Sequence, residues 1–377
     1  MLHDDAVVLV PGLFGFDAFG SGAERISYFD HVVDRLAKQT ELKRNRFFVH
    51  KPAPTGPLWV RVASLYQKVL AIGSAAPDGR PVGRVHLLGH STGGVDIRLL
   101  TNTKYLWPGG PTGKDRAVFL DQVASVIPMS APLRGTPIAR RLRGAMEFAV
   151  PDLFLISILA KRQGHAKIPE QMLLLYTSAL YALSGGSAKE GALRFLGGLP
   201  PETAKQVEAF LNDIVKDHPL IHELTPLAIE RLNEQIEGGD FAPIDCFVSV
   251  APPPAVWDGI VAGLGIPKLQ WAIYAFSYWA THPDADERHP FPTGAWVGDT
   301  TACAELVSDT ASDGVVPAGA QTLDGRAAGI VAGDHLDVVG HFESPTYHGT
   351  TVFKSGANFD DRRFEALWDA VAATLRR

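Results

Sequence analysis

The stretch that decides the fold is VHLLGHSTGG, residues 85–94. Its first four residues form a short, largely apolar run of the kind that fills a strand buried on both faces of a sheet. A glycine-rich turn follows, and residues 93–100 then have the spacing of a helix. The segment therefore predicts a strand, a sharp turn and a helix in direct succession, with Ser91 in the turn.

Strands and helices are predicted to alternate on both sides of this segment. Apolar, β-branched runs predict strands, and apolar residues at helical spacing predict helices. The predicted strands are residues 6–10, 46–50, 85–88, 123–128, 244–250 and 329–331, and the predicted helices are residues 28–39, 60–72, 93–100, 200–215, 225–235 and 364–375. Such alternation is typical of an α/β protein with a mostly parallel, doubly wound sheet.

The alternation is interrupted in the middle of the chain. Between about residues 140 and 237 no strand pattern occurs, and residues 172–183 are apolar on nearly every side, which predicts a buried or covering helix. We therefore expect a core built from residues 1–139 and 238–377, with residues 140–237 inserted as a helical cap or lid. A second apolar insertion, rich in aromatic residues, is expected at about residues 251–300.

Composition and charge exclude several classes of protein. The 377 residues are 46% hydrophobic with a net charge of −6, so the chain can bury a large core and carries no basic run for nucleic acid. The two cysteines, Cys246 and Cys303, form neither a disulfide framework nor a metal-ligand motif, although one bridge between them is compatible with the sequence. No apolar run reaches the roughly 18 residues of a membrane span, and no secretion signal precedes the first strand. We expect a cytoplasmic protein or, alternatively, the mature part of a secreted one.

The chemistry of the chain points first to Ser91. Residues 89–93 match G-x-S-x-G, and they lie between a predicted strand and a predicted helix, which is the context that a nucleophile elbow requires. Gly89 and Gly93 would let the backbone pass close to itself in the strained turn. The backbone N–H groups of Thr92 and of Leu13, in the loop after the first strand, are expected to form the oxyanion hole. The plain alternative is a glycine-rich turn with an uninvolved serine.

A serine nucleophile needs a general base that is oriented by an acid, and in this arrangement both follow the serine in the chain. Asp313 lies in the turn SDGVVP (312–317), and His335 follows it in the segment HLD. The other candidates are His341 and His348 for the base and Asp299 and Asp309 for the acid. The residues alone leave this choice open.

The motifs together resemble those of the bacterial true lipases of the Pseudomonas/Burkholderia type, which have the α/β-hydrolase fold. The matching segments occur in the family's order across most of the chain: VLVPGLFG (8–15), LLGHSTGG (87–94), SAPLRGTPIA (130–139), LTPLAIERLN (224–233), SDGVVP (312–317) and DHLDVV (334–339). That family carries its acid in a D-G-[LV]-V turn and its base in an H-L-D segment. The resemblance therefore favours Asp313 and His335 as the partners of Ser91.

Some positions depart from the family's pattern. Pro11 stands where the oxyanion loop of the family usually has histidine, and Thr92 stands where its elbow often has glutamine, but the oxyanion donors are backbone groups in either case. Asp337 matches one ligand of the family's structural calcium, whereas the next ligand, a glutamine, falls at His341, a poor ligand for a hard cation. The cysteines do not bracket Asp313 as the family's disulfide brackets its acid. We expect no cofactor, with calcium at Asp337 as the alternative.

These observations predict a serine carboxylester hydrolase, a lipase or esterase, that cleaves lipophilic esters through an acyl-enzyme on Ser91. Two apolar segments, residues 148–183 and 255–280, favour a lipophilic acyl group if they form a lid, but they could also pack on each other. An acyltransferase or thioesterase with the same triad is the alternative enzyme, and a non-catalytic lipid-binding protein of this fold is the third hypothesis. The expected partners are the ester and, transiently, a lipid interface, but not nucleic acid. The sequence does not determine the oligomeric state.

Overall fold

The apolar strand predicted at residues 6–10 lies inside a parallel sheet. The structure is a computed structural model, and it describes residues 2, 4–20, 25–74, 81–141, 200–216, 218–255, 266–298, 303–347 and 351–377. In it Ala6–Val10 is buried at every position and pairs in parallel with a strand on each side. Its side chains alternate between two hydrophobic cores: Val7 and Leu9 face one, and Ala6, Val8 and Val10 face the other.

The strands and helices follow the predicted alternation. The strands are β1 (Ala6–Val10), β2 (Ala18–Phe19), β3 (Ile26–Ser27), β4 (Phe47–Val49), β5 (Val85–His90), β6 (Val123–Met129), β7 (Phe247–Val250) and β8 (Gly329–Ala332). The α-helices are α1 (Val32–Thr40), α2 (Leu58–Ser74), α3 (Thr92–Thr101), α4 (Gly113–Asp121), α5 (Pro201–Lys216), α6 (Pro219–Glu223), α7 (Pro226–Ile236), α8 (Ile266–Thr281) and α9 (Asp361–Leu375). Both lists refer to the described residues.

The main sheet has the strand order β4-β1-β5-β6-β7-β8, and each neighbouring pair is parallel. From β1 the chain goes first to β4 on one side and then crosses to β5 on the other. Ligands of such sheets bind at the carboxyl ends of the strands where the order reverses. At that point residues 11–15 follow β1 and Ser91 follows β5, so the two segments with predicted catalytic roles meet at one edge.

Helices cover both faces of the sheet. On one face α1 and α9 pack against each other, with Leu36 and Trp368 fully buried. On the other face α2 and α3 pack together, with Val62 and Leu99 fully buried. The predicted doubly wound α/β architecture is therefore confirmed.

The helix predicted over residues 28–39 begins later than expected. The preceding residues belong to a short antiparallel hairpin, in which β2 pairs with β3 and Tyr28 N donates to Asp17 O at 3.2 Å. The helix starts at Val32, after His31 takes up a left-handed conformation with φ of 58°. The hairpin was not predicted because each of its strands has only two residues.

Two other differences concern the middle of the sheet. The strand predicted over residues 244–250 begins at Phe247, and Ile244 makes only an isolated bridge to Val126. Helix α4 was not predicted, since its buried residues Arg116, Phe119 and Leu120 do not form an apolar stripe.

The predicted insertions are described in part. Residues 142–199, which include most of the predicted cap, lie outside the described residues, and so do residues 256–265 and 299–300 of the second insertion. The last part of the cap segment forms α5, α6 and α7, and Phe210 of α5 packs its ring on Phe16 and Phe19 beside the hairpin. The division into core and cap stays a prediction.

The aromatic insertion contributes α8, most of whose described side chains are at least partly buried, while Trp279 is 60% exposed. In the part of the chain that the structure describes, no helix combines the length and hydropathy that crossing a membrane requires. Cys246 is a buried free thiol, and burial raises its pKa to about 12. This cysteine therefore takes part in no disulfide.

Candidate active site

Ser91 lies between the last residue of β5 and the first residue of α3, in the predicted sharp turn. Its backbone has φ of 54° and ψ of −130°, a conformation that costs free energy for any residue other than glycine. The turn also requires glycine on both sides. A Cβ on Gly89 would lie 2.2 Å from the carbonyl oxygen of Gly93, and one on Gly93 would lie 2.0 Å from that of Val10. The predicted close approach of the backbone is confirmed.

Asp313 and His335 are joined by a short hydrogen bond. Nδ1 of His335 lies 2.7 Å from Oδ2 of Asp313, and the backbone N of His335 donates to the carbonyl oxygen of Asp313 at 3.0 Å. Both residues are buried. Since a carboxylate can only accept, Nδ1 carries the proton, and Nε2 of His335 is left as a base.

The histidine lies next to the elbow. The carbonyl oxygen of His335 is 2.8 Å from Nε2 of His90, and the two imidazole rings are 4.7 Å apart between centroids. Because His90 directly precedes Ser91, the structure brings the predicted base, acid and nucleophile to the same edge of the sheet.

The Asp313 carboxylate is held by donors from four other residues. Oδ1 accepts the backbone N–H groups of Val315 and Val316 at 2.9 and 2.8 Å. Oδ2 accepts Ser249 Oγ at 2.8 Å and Gln321 Nε2 at 3.4 Å. Neither Ser249 nor Gln321 was singled out from the sequence. The signal for Ser249 was available, because it is the polar residue in the otherwise apolar strand FVSV.

The competing acids and bases have other partners where they are described. Nε2 of His341 donates to the carbonyl oxygen of Tyr28 at 2.9 Å, and Asp309 faces Arg288 at 3.5 Å on the surface. His348 and Asp299 lie outside the described residues. Among the described candidates, the hydrogen-bonded acid and base are therefore Asp313 and His335.

The loop after β1 packs directly against the serine. A Cβ on Gly12 would lie 2.5 Å from Cβ of Ser91 and 2.9 Å from its Oγ. The neighbouring amides are all occupied: Gly12 N donates to Tyr28 Oη, Phe14 N to Pro54 O and Gly15 N to Gly12 O, at 3.0, 3.1 and 3.0 Å. Within the described part of the chain, the amide of Leu13 has no acceptor.

Thr92 is the first residue of α3, so its N–H is among those that have no acceptor within a helix. The two amides predicted to bind an oxyanion, Leu13 N–H and Thr92 N–H, are thus available on the two segments that flank Ser91. A helix start also places partial positive charge there.

A buried arginine orients the peptide between Gly12 and Leu13. Nη2 of Arg61 lies 3.1 Å from the carbonyl oxygen of Pro11 and 3.4 Å from that of Gly12, and Nη1 lies 2.7 Å from that of Ala53. The C=O and N–H of one peptide unit point in opposite directions. With the Gly12 carbonyl turned to Arg61 and Gly15, the N–H of Leu13 points away from them.

An apolar cleft opens beside the serine. It is lined by Leu13, Phe14, Ser91, Thr92, Pro132, Thr136, Ile138, Ala139, Ile221, Leu224, Phe276, Ser277, Val315 and Val316. The Thr136 hydroxyl already donates to the carbonyl oxygen of Val315 at 2.6 Å. A cleft of this composition suits an apolar group next to the reactive atoms.

Two buried carboxylates lie behind His335. The backbone N of Asp334 donates to Asp337 Oδ2 at 2.9 Å, and the amides of Leu336 and Asp337 donate to Asp334 Oδ1 at 3.0 Å. Burial raises the pKa of Asp334 to about 6 and, with the nearby Asp334 charge, raises that of Asp337 well above its usual range.

The carboxylate oxygens of Asp334 and Asp337 alone are fewer than the six to eight oxygen ligands that calcium takes. His341 faces Tyr28, and no group of three His, Cys, Asp or Glu side chains is arranged for a metal ion among the described residues. Calcium at Asp337 stays a prediction.

Comparison with known proteins gives the fold. No protein-family model matches the sequence, and no curated protein matches it either. Among solved structures, the chain is similar to EstA from Clostridium botulinum, with 16% identity, 99% of this chain and 87% of that chain covered, and a TM-score of 0.52. Two other matches are Lipase 1 from Pelosinus fermentans (14% identity, 99% and 98% covered, TM-score 0.48) and Staphylococcus hyicus lipase (14% identity, 99% and 96% covered, TM-score 0.45).

The Pseudomonas/Burkholderia subfamily that the motifs resemble is not confirmed by these comparisons. At such identities a structural match shows the fold alone. The strand order, the position of Ser91 after β5 and the likeness to EstA together establish that the chain has the α/β-hydrolase fold.

Proposed function

We propose that the protein is a serine carboxylester hydrolase of the lipase or esterase type that acts on lipophilic esters. The observation that carries this proposal is the hydrogen bond between Asp313 and His335 at the edge of the sheet where Ser91 occupies a strained turn. The apolar cleft beside Ser91 supports a lipophilic acyl group.

In the proposed reaction, Ser91 Oγ attacks the ester carbonyl carbon while Nε2 of His335 takes the hydroxyl proton. Asp313 holds the imidazole in the required tautomer and stabilises the imidazolium. The N–H groups of Leu13 and Thr92 bind the oxyanion of the tetrahedral intermediate. The C–O bond of the ester then breaks, and the leaving alcohol takes the proton from His335.

Water releases the acyl group in the second half of the reaction. His335 takes a proton from water, the resulting hydroxide attacks the acyl carbon, and the carboxylic acid leaves as Ser91 is protonated again. An acyltransferase or thioesterase would use the same first half with another acceptor or leaving group. Nothing in the described cleft favours a second acceptor, so we keep that reaction as the second candidate.

The chain offers a matched control serine. Ser125 Oγ lies 2.9 Å from Nδ1 of His86, whose Nε2 lies 3.2 Å from Asp5 Oδ2. These are the same three residue types, but they lie near the opposite end of the sheet from Ser91 and its oxyanion loop. We expect Ser125 to be structural.

The test is hydrolysis of p-nitrophenyl esters from acetate to palmitate by the wild type, Ser91→Ala and Ser125→Ala. We expect Ser91→Ala to lose at least about a thousandfold in kcat, and Ser125→Ala to match the wild type. The chain-length optimum would separate an esterase from a lipase. Activity that survives Ser91→Ala would overturn the proposal, and ester products formed with added alcohols in preference to hydrolysis would favour the transferase.

A further inference from the structure

A tyrosine and a histidine join three of the segments that meet at Ser91. Tyr28 Oη lies 3.0 Å from Gly12 N and 2.8 Å from Nδ1 of His90. Nε2 of His90 lies 2.8 Å from the carbonyl oxygen of His335. Both side chains are buried. A continuous path of hydrogen bonds therefore links the loop that carries Leu13, the residue before Ser91 and the backbone of His335.

The chemistry of the partners sets the direction of each hydrogen bond. The carbonyl oxygen of His335 can only accept, so Nε2 of His90 carries a proton. In the neutral ring Nδ1 is then an acceptor, and the Tyr28 hydroxyl donates to it. The Tyr28 oxygen in turn accepts the N–H of Gly12. The path is satisfied when His90 is neutral, whereas a proton on Nδ1 would remove the acceptor that Tyr28 uses.

Burial keeps His90 in this neutral form. It lowers the pKa of His90 well below its ordinary value, and the nearby His335 acts in the same direction. A charge on His90, with its ring centroid 4.7 Å from that of His335, would oppose formation of the imidazolium on His335 during turnover. A neutral polar pair can hold the backbone here without this electrostatic penalty.

We propose that Tyr28 and His90 are positioning residues that fix the oxyanion loop and the backbone of His335 relative to Ser91. The inference rests on the proposed function and deepens it. Gly12 is held at both ends, by Tyr28 at its N–H and by Arg61 at its C=O, and this leaves the next amide, that of Leu13, directed to the oxyanion. Neither Tyr28 nor His90 is among the residues that line the cleft.

The test compares Tyr28→Phe with Tyr347→Phe. The Tyr347 hydroxyl donates to Glu365 Oε1 at 2.9 Å, and Tyr347 is not among the residues that line the cleft. Kinetic constants are measured with p-nitrophenyl butyrate. The concentration of active sites is determined by titration with a phosphonate, and kcat is calculated per active site. We expect Tyr28→Phe to lower kcat about ten- to hundredfold with KM within about twofold, because the oxyanion forms only after substrate has bound. Tyr347→Phe should match the wild type.

A trifluoromethyl ketone gives a readout that a structural role would not move. It forms a tetrahedral adduct with the serine, so its affinity for Tyr28→Phe should fall in proportion to kcat. For His90, we expect His90→Leu to lose activity like Tyr28→Phe. His90→Gln, which can still donate an amide N–H to the His335 carbonyl, should recover part of the loss.

Wild-type kcat in Tyr28→Phe, or a lower kcat with unchanged affinity for the ketone, would overturn the inference. If Tyr28→Phe does not fold, equal activities of His90→Leu and His90→Gln would do so. With Ser91→Ala inactive, either result rejects the positioning role and leaves the proposed function standing. An active Ser91→Ala rejects both.

Discussion

Nη2 of Arg61 lies 2.6 Å from Oδ2 of Asp96, and both side chains are almost completely buried, with 0% and 1% exposed. Nε of Arg61 also faces both carboxylate oxygens, at 3.2 and 3.0 Å. Arg61 is on α2 and Asp96 is on α3, the helix that begins after Ser91. Through Arg61, which also binds the carbonyl oxygens of Pro11 and Gly12, the ion pair ties the oxyanion loop to the nucleophile helix.

Removal of one member of this pair should destabilise the fold, because the other charge would be left buried without an opposite charge. We expect Asp96→Asn to lower the free energy of unfolding by about 3–5 kcal/mol, measured by urea denaturation. The control is Asp34→Asn at the exposed pair with Arg44, where we expect a change within about 1 kcal/mol. Equal stability of Asp96→Asn and wild type would contradict the importance of this pair.

A methyl group on Gly12 should block the nucleophile without unfolding the protein. In Gly12→Ala the new Cβ would press on Ser91 and on the Tyr28 hydroxyl, 3.1 Å away. We expect kcat/KM for p-nitrophenyl butyrate to fall at least about a hundredfold. Gly73→Ala in α2 is the matched control, since among the described residues its Cβ would meet only Gln122 Oε1, at 3.6 Å. Gly73→Ala should be fully active. An active Gly12→Ala would contradict the expectation and would show that the loop after β1 can shift to accommodate the methyl group.

The hydroxyl of Ser249 should matter for turnover rather than for substrate binding. Ser249→Ala removes one donor to Asp313 and leaves Ser130 Oγ, 2.6 Å away, without its partner. We expect kcat to fall about tenfold, because the carboxylate that orients His335 is less firmly held, with KM unchanged. Ser344→Ala, which also removes a hydroxyl bonded to an aspartate, Asp361, is the control. An effect of Ser249→Ala on KM alone would contradict this expectation.

His50 should make the stability depend on pH. Burial, together with the charges of Arg61 and Lys68, lowers its pKa to about 3 from an ordinary value of about 6.5. As the pH falls, His50 therefore takes up a proton in the unfolded chain at a higher pH than in the folded chain. The folded state is fully favoured where His50 is neutral in both states, and it loses stability as the pH falls below about 6.5. Between pH 7 and pH 5 the wild type should lose about 2 kcal/mol relative to His50→Leu. Urea denaturation at both pH values measures this, and a constant difference between the two proteins would contradict the expectation.

Local patterns were sufficient to predict the elbow. Strand β5, the turn at Ser91 and helix α3 are consecutive in the chain, and the glycines that the turn requires are two residues from the serine on either side. Helix α4 and the β2–β3 hairpin were missed because they lack an apolar stripe or are too short to show a pattern.

The partners of Ser91 were harder to predict. The sequence alone left several residues as candidates for the acid and the base. A resemblance to a lipase family was needed to favour Asp313 and His335. The structure distinguishes the described candidates by their contacts, since His341 faces a backbone carbonyl and Asp309 a surface arginine. The catalytic role of each residue stays a proposal until the variants are measured.

By itself, the sequence determined the alternation of strands and helices, the position of the strained turn and the types of residue that the chemistry requires. These features depend on the conformational preferences of residues that are close in the chain. Only the tertiary structure decided which side chains support them. Tyr28 and His90 are 62 positions apart, Ser249 and Asp313 are 64 apart, and Arg61 and Asp96 are 35 apart. A hydrogen bond requires an approach to about 3 Å, and for such distant residues that approach is set by how the helices pack on the sheet.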